Sequence, residues 1–374
     1  MKRVGHLWDK LISNENLSLA LCEVNRTHRW HKHHKPNTCT AWVEETFDER
    51  VQELRKILEA GFKQAVPRVS KRFDASAGKW REINEPKQWP DQYIHHALIQ
   101  VLEPVFMRGM DAYCCGSIRG RGAYYGMKAI SRWLKRDVKH TKYCLQCDIK
   151  HFYQSLKPEV VLDRMRQLIK DRRVLNLIER VISGGILIGV YTSQWFANTT
   201  LQPLDNMIRE HEAAAYYLRY MDNITIFGSN KRKLRQLREQ ISKWLNKHDL
   251  QLKSDWQIYP ADKRKPQALG YRYGRGYVLI RKRSLLRLKR KLKAYNKCKS
   301  KRLAAGLLSR IGQLKHCKNF NIYKRLFHGE RVQRGLKQVI KSITKGELFL
   351  IWSMYLEQRE RGKCLKQRAA ATAI

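Results

Sequence analysis

The sequence predicts an α+β fold in which an antiparallel sheet is backed by helices and followed by a basic helical region. Three observations carry that prediction. Strand-like runs occur at 143–149, 214–219 and 224–227, the last two flanking the tight polar turn Tyr220-Met221-Asp222-Asn223 of a hairpin. The segments around them have helical periodicity but no regular βα alternation, which argues against a parallel doubly wound sheet. Beyond Gly276 strands give way to helical text, and 281–293 hold eight basic side chains and no acid around a stripe of Leu285, Leu288 and Leu292.

In chain order, 10–65 show helical patterning, with Val51, Leu54, Ile57 and Leu58 at helix spacing and a polar break at 26–38. Residues 1–65 are read as an N-terminal helical extension, an appendage or the root of a larger domain. The stretch 66–81 turns polar and basic around Gly78, and 93–106 read as an apolar helix closed by Pro104 and Gly109. A glycine-rich basic loop at 116–122 leads into a helical stretch to about 139. The strand that follows ends at Asp148. Helical text from 158 to 182 precedes Gly184 and Gly185, which open the way to another apolar helix. After the hairpin, Leu234, Leu237, Ile241 and Trp244 mark an amphipathic helix over 231–248. A helical domain at 277–345 and a C-terminal helix and tail at 346–374 complete the division, with 66–276 between them and the extension.

The chain has 374 residues, 43% of them hydrophobic, enough for two or three packed units. It carries 76 Lys and Arg against 33 Asp and Glu, a formal net charge of +43, dispersed rather than confined to a tail. A polyanion is the partner such charge suits, because phosphate backbones reward it through counterion release. No stretch approaches the roughly 20 apolar residues of a membrane span, and the opening residues lack a secretory core, so no membrane and a cytoplasmic setting are expected. Nine scattered cysteines read as reduced thiols. Cys144 and Cys147 lie within a strand, where residues three apart face opposite ways, and no second C-x-x-C accompanies them. His28, His31, His33, His34 and Cys39 are read as a solvated basic loop rather than a zinc site.

Asp148 and Asp222 each interrupt an apolar strand context. If strand and hairpin are neighbours in one sheet, the two carboxylates face each other and suit a pair of Mg²⁺ ions, with Mn²⁺ as substitute, for in-line phosphoryl displacement. Either aspartate alone reads as a turn or cap residue.

With their flanks the two resemble the palm of reverse transcriptases, motif after motif. Asp148-Ile149-Lys150-His151-Phe152-Tyr153 is similar to the first metal-binding motif, and Ile188-Gly189-Val190-Tyr191-Thr192-Ser193-Gln194 to the helix-opening motif under the incoming nucleotide. Tyr220-Met221-Asp222-Asn223 resembles the Tyr-x-Asp-Asp turn, and Leu269-Gly270-Tyr271-Arg272 the primer-grip hairpin. The Ile-Gly-x-x-x-Ser-Gln form, the N-terminal Leu7-Trp8 and Glu15-Asn16-Leu17, and Cys115-Gly116-Ser117-Ile118 point within that superfamily to diversity-generating retroelements. The likeness runs from residue 5 to about 330.

That resemblance implies a right-hand polymerase, with fingers at 66–140 and 155–183, palm elsewhere in 141–276 and a helical thumb at 277–345. It implies an RNA-directed DNA polymerase of bacterial or phage origin that copies a template-repeat RNA into error-prone cDNA for mutagenic retrohoming. Asp148, Asp222 and Lys253 are the implied catalytic residues, the lysine as proton donor to pyrophosphate. Asp148, Ile149, Asp222 and Asn223 are the implied metal site. Arg81, Arg121, Ile149, Tyr153 and Gln194 are the implied nucleotide contacts, Tyr153 as the aromatic that blocks a sugar 2′-hydroxyl, and Leu269, Gly270 and Tyr271 the primer grip. The implied partners are template RNA, cDNA or primer, dNTPs and a small basic helical-bundle accessory protein. Four positions depart from the pattern: Asn223 replaces the second turn aspartate, Leu187 and Arg119 replace prolines, and Val190 a polar residue. Asn223 loses a charge and so weakens any metal it helps to hold. A scaffold that binds structured RNA without catalysis, and an enzyme of another retroelement or phage-defence lineage, remain the competing readings.

Overall fold

The computed structural model describes residues 2–31, 37–74 and 78–298, with scattered positions from 300 to 317. Most of the expected helical domain beyond 298, the segment 346–374, and His33 and His34 lie outside the described residues. The chain divides into two compact units, one of residues 1–269 with 274–276, the other of 270–273 with 277 onward.

In the first unit, helices α1 (Trp8–Leu11), α2 (Asn14–His31), α3 (Thr38–Glu45) and α4 (Phe47–Glu59) precede a two-stranded hairpin, β1 (Arg68–Asp74) and β2 (Lys79–Glu85). The apolar helix α5 (Tyr93–Met107) follows, then α6 (Ala123–Arg136). Leu17, Leu21 and Val24 of α2 and Ile94, Ala97 and Leu98 of α5 are buried in one core, so the N-terminal helices are continuous with the rest of the unit. Each of the leucine, isoleucine and valine side chains contributes about 1.5–3 kcal/mol by leaving water. The Asn16 amide fastens the pair by donating to the carbonyls of Leu11 at 2.9 Å and Ala97 at 3.1 Å.

Strand β3 (Tyr143–Asp148) is central in a four-stranded antiparallel sheet of order β4-β5-β3-β6, with β4 (Tyr216–Tyr220), β5 (Asn223–Gly228) and β6 (Gln257–Pro260). Between β3 and β4 run α7 (Phe152–Ser155), α8 (Pro158–Leu168), α9 (Arg172–Ile182), α10 (Tyr191–Thr200) and α11 (Gln202–Glu210). Helix α12 (Lys231–Lys247) buries Leu234, Leu237, Ile241 and Leu245, and strand β7 (Gln267–Ala268) closes the unit. Cys144 and Cys147 are both buried, and burial pushes both thiols up to about 12. Strand β8 (Tyr271–Gly274), in the second unit but for its last residue, pairs with β9 (Tyr277–Ile280), and α13 (Lys282–Lys297) packs Leu288, Leu292 and Tyr295 on Ile280, Ala304 and Leu307.

The structure corrects one expectation, at Pro104, and adds detail to two others. The polar stretch 66–81 is mostly hairpin, because its apolar residues Val69, Phe73 and Trp80 are exposed and give no one-sided alternation to read. Pro104 does not close α5, which runs on to Met107. Residues 158–182 are two helices, parted at 169–171, where Asp171 caps α9 by accepting from the amides of Arg173 and Val174. No helix among the described residues is long and apolar enough to cross a membrane.

Asp91 is 1% exposed, and its carboxylate accepts from the Ala65 amide at 3.2 Å. Burial raises its carboxyl from an ordinary 3.8 to about 6. The folded chain therefore holds this proton more tightly than the unfolded chain, so its stabilising effect is full below about 4 and is lost as pH rises through 6. Asp91→Asn keeps the acceptor and removes the buried charge. Its melting temperature should exceed the parent's at pH 8, by the equivalent of about 1–3 kcal/mol, and the gap should close at pH 4. A gap independent of pH would refute this account.

Candidate active site

Antiparallel register sets the site. Asp148, last residue of β3, pairs with Asn223, first residue of β5, so Asp222 in the β4–β5 turn reaches the same end of the sheet. The ladder continues past the strand ends, with the Ile149 amide donating to the Asp222 carbonyl at 3.1 Å and the Lys253 amide to the Asp148 carbonyl at 2.8 Å. Asp148 is thereby flanked by a carboxylate on one side and an ammonium on the other. Lys253 Nζ makes an ion pair with Asp148 Oδ2. Asp148 Oδ1 is buried and has no hydrogen-bond partner. Burial, and secondarily the charge of Asp222, push the Asp148 carboxyl up to about 6 against the pull of Lys253.

Two carboxylates driven together, one with an orphaned buried oxygen, suit a divalent cation, which would meet the lone pair and remove the repulsion. Asn223 Nδ2 donates to Asp222 Oδ1 at 3.0 Å, so its amide braces the neighbouring carboxylate. Among the described residues no group of three His, Cys, Asp or Glu side chains converges, and the donor set is two carboxylates with an amide beside them.

A cleft of about 940 Å³ opens over these groups, lined by Asp148, Tyr153, Asp222, Asn223 and Lys253 below and by Lys71, Trp80 and Arg81 of the β1–β2 hairpin. Tyr153, five positions past Asp148, donates its hydroxyl to Met221 Sδ at 3.6 Å. Burial and the charge of Asp222 raise that phenol to about 12, so it stays protonated. Ile149 is buried and contributes through its backbone. The hairpin is tied to the loop before α10 by the Asn84 amide, which donates to the Ile188 carbonyl at 2.7 Å. Gly189 follows with φ of +108°, and a Cβ there would lie 2.5 Å from the Asn84 carbonyl oxygen, so glycine is required.

Three expected nucleotide contacts are absent from this lining, the buried Ile149 among them. Arg121 donates to the Asp111 carbonyl at 2.7 Å, and Gln194, in the first turn of α10, is half-buried outside the cleft wall. Leu269 and Gly270 have left-handed φ of +55° and +86°, the pair a tight I′ turn needs, and Tyr271 begins β8.

Sequence reading missed the support beneath the turn. Arg219 and Asp205 are both fully buried and form a bidentate pair, Nε to Oδ1 and Nη2 to Oδ2, each at 2.7 Å. Arg219 Nη1 also donates to Asn198 Oδ1 at 2.8 Å and to the Met221 carbonyl at 3.1 Å. Met221 has φ of +56°, a conformation costing about 1 kcal/mol or more in a non-glycine residue, and this network holds it there. Gly116 completes the packing, since a Cβ on it would sit 2.8 Å from Met221 Sδ. A charged residue inside an apolar strand, Arg219 between Leu218 and Tyr220, was the available signal.

The family profile described as reverse transcriptase (RNA-dependent DNA polymerase) matches residues 69–271. Nuclear intron maturase 1, mitochondrial, of Arabidopsis thaliana is 26% identical over 106 residues, which cover 28% of this chain and 14% of the maturase. The solved structure of apo telomerase from Candida tropicalis, truncated from its C-terminal domain, is similar with a TM-score of 0.40 at 14% identity, over 58% of this chain and 56% of that one. The chain thus spans a small part of the maturase and about half of the telomerase chain.

Proposed function

The chain belongs to the reverse transcriptase (RNA-dependent DNA polymerase) family, and from that premise we propose that it is an RNA-directed DNA polymerase whose nucleotidyl transfer is centred on Asp148 and Asp222. The observation that carries the reading is the meeting of those two carboxylates, one with an unpartnered buried oxygen, at the floor of a cleft rimmed by Lys71 and Arg81. Divalent cations held by Asp148, Asp222 and the Ile149 backbone, two Mg²⁺ in this reading, supply neutralisation of phosphate charge and activation of a primer hydroxyl. The chain's own groups do the rest. Tyr153 presents a protonated ring on the cleft wall, suited to exclude a sugar 2′-hydroxyl, and Arg81 and Lys71 face the region a triphosphate enters. Lys253, held beside Asp148, is the proton donor for departing pyrophosphate.

In this reading fingers span 66–140 and 155–183, palm the rest of 141–276, and a basic thumb begins with α13, whose cations follow a template–primer backbone irrespective of sequence. Leu269, Gly270 and Tyr271 form the primer grip, and Arg121 and Gln194 act on the nucleotide only through their neighbours. The finer assignment is to a diversity-generating retroelement, served by a small basic helical-bundle accessory protein. The residues Ile188-Gly189 with Ser193-Gln194 support it.

Primer extension on an RNA template with dNTPs and Mg²⁺ tests both levels. Extension is expected, and sequencing should find errors concentrated opposite template adenines. Template binding without extension would favour the scaffold reading, and errors spread evenly over the four bases would remove the retroelement type. Asn223→Asp replaces a bracing amide by a third carboxylate. The Mg²⁺ concentration for half-maximal extension should fall by roughly tenfold while the melting temperature stays put. An unchanged metal requirement would mean that residue 223 takes no part in binding.

A further inference from the structure

A second concentration of positive charge lies away from the cleft and shares no lining residue with it. The N-terminal arm is drawn onto the α8–α9 junction by main-chain bonds, Val4 amide to the Leu168 carbonyl at 2.8 Å and Lys170 amide to the Val4 carbonyl at 2.7 Å. The Asp171 carboxylate locks the junction, accepting from the amides of Leu7 and Trp8 at 3.1 and 2.9 Å while also capping α9. This construction delivers Arg3 to the same place as Lys170, Arg172 and Arg166. The four cations line a pocket of about 390 Å³ floored by Leu162 and Ile169, with Glu179 the one acid in its wall.

Gathering like charges by backbone bonds is unfavourable unless something anionic relieves it. Arg166 has an exposed partner in Asp163 at 2.8 Å. Among the described residues Arg3, Lys170 and Arg172 are in no ion pair, and the charge of Asp171 is already met by four backbone amides. Three of the four cations are arginines, whose planar fork matches phosphate oxygens. None of the large exposed apolar side chains lies in the pocket wall, so there is no apolar face to enter a membrane, and the charge suits a phosphate backbone in water.

We propose that this pocket is an RNA-backbone site separate from the polymerising cleft, holding a part of the RNA that is not being copied. Its contacts are to phosphate and carry no sequence preference.

The test is a triple variant, Arg3→Gln with Lys170→Gln and Arg172→Gln, beside a control of equal charge loss on the exposed side of α12, Lys231→Gln with Arg232→Gln and Arg235→Gln. Filter binding of a labelled RNA stem-loop is measured over a range of salt. The pocket triple should bind about tenfold more weakly near physiological salt, and the slope of log affinity against log salt should flatten by about two. Its extension of a short primer–template should match the parent, and the control triple should change binding far less. Equal weakening by both triples, or an unchanged slope in the pocket triple, would overturn the proposal. So would a pocket triple that keeps stem-loop affinity but loses binding to phosphatidylserine vesicles, which would move the site to a membrane. Binding is read without turnover, so failure here leaves the polymerase reading standing, and the reverse.

Discussion

Asp148→Asn should abolish primer extension while leaving the protein at least as stable as the parent. Losing a carboxylate that holds a catalytic cation removes several kcal/mol of transition-state stabilisation, and at 1.36 kcal/mol per decade the rate falls about a thousandfold or more. Stability moves the other way. Burial and the neighbouring Asp222 raise the Asp148 carboxyl to about 6, so its proton is bound more tightly in the folded chain. The stabilising effect of that preference is full below the unfolded value of 3.8 and gone once pH passes 6, where the folded chain carries a charge it disfavours. In metal-free buffer at pH 7.5 the amide variant should therefore melt no lower than the parent. A collapse of melting temperature would show that Asp148 is structural, and retained extension would remove it from the chemistry.

Arg219→Met should cost the most stability of any change near the site. It strands Asp205, wholly buried, without its bidentate partner, and breaking such a pair costs about 3–5 kcal/mol. At 2–4 °C per kcal/mol for a unit of this size, a fall of roughly 10 °C in melting temperature is expected. Extension falls too, but the single variant cannot separate unfolding from misplacement. The double variant Arg219→Met with Asp205→Leu can. An apolar pair of similar volume commonly restores most of the lost stability. It cannot replace the Arg219 donor at the Met221 carbonyl, so the strained turn that presents Asp222 stays loose. Melting should recover to within a few degrees while extension stays at least tenfold down. Full recovery of extension would mean that the network serves folding alone.

How far these residues could be read in advance depended on whether their signal was local. Asp148 stands at the end of an apolar run and Asp222 in a turn between two such runs, so each is visible within a few positions, whereas the β3–β5 register that unites them joins segments about 75 residues apart and has no local signal. Helix α12 was legible for the same reason, a stripe at 3.6-residue spacing. The β1–β2 hairpin was not, because it stands out in solvent and leaves apolar residues exposed where the eye seeks alternation. Arg219 and Asp205 were also hidden, since a strand arginine looks solvent-facing until the acid fourteen residues earlier is known to meet it. Arg121 and Gln194 illustrate the converse, for a motif gives a position in the chain but not the direction of the side chain.

The bond from Asn84 to Ile188 has a mechanical meaning. With Gly189 pressed against the Asn84 carbonyl, strand and loop have no slack between them. Arg81 and the residue that makes this bond, Asn84, lie on one strand, and the loop it bonds to leads into the first turn of α10. The hairpin that roofs the cleft and the Ile188 loop in its wall are thus joined directly, main chain to main chain.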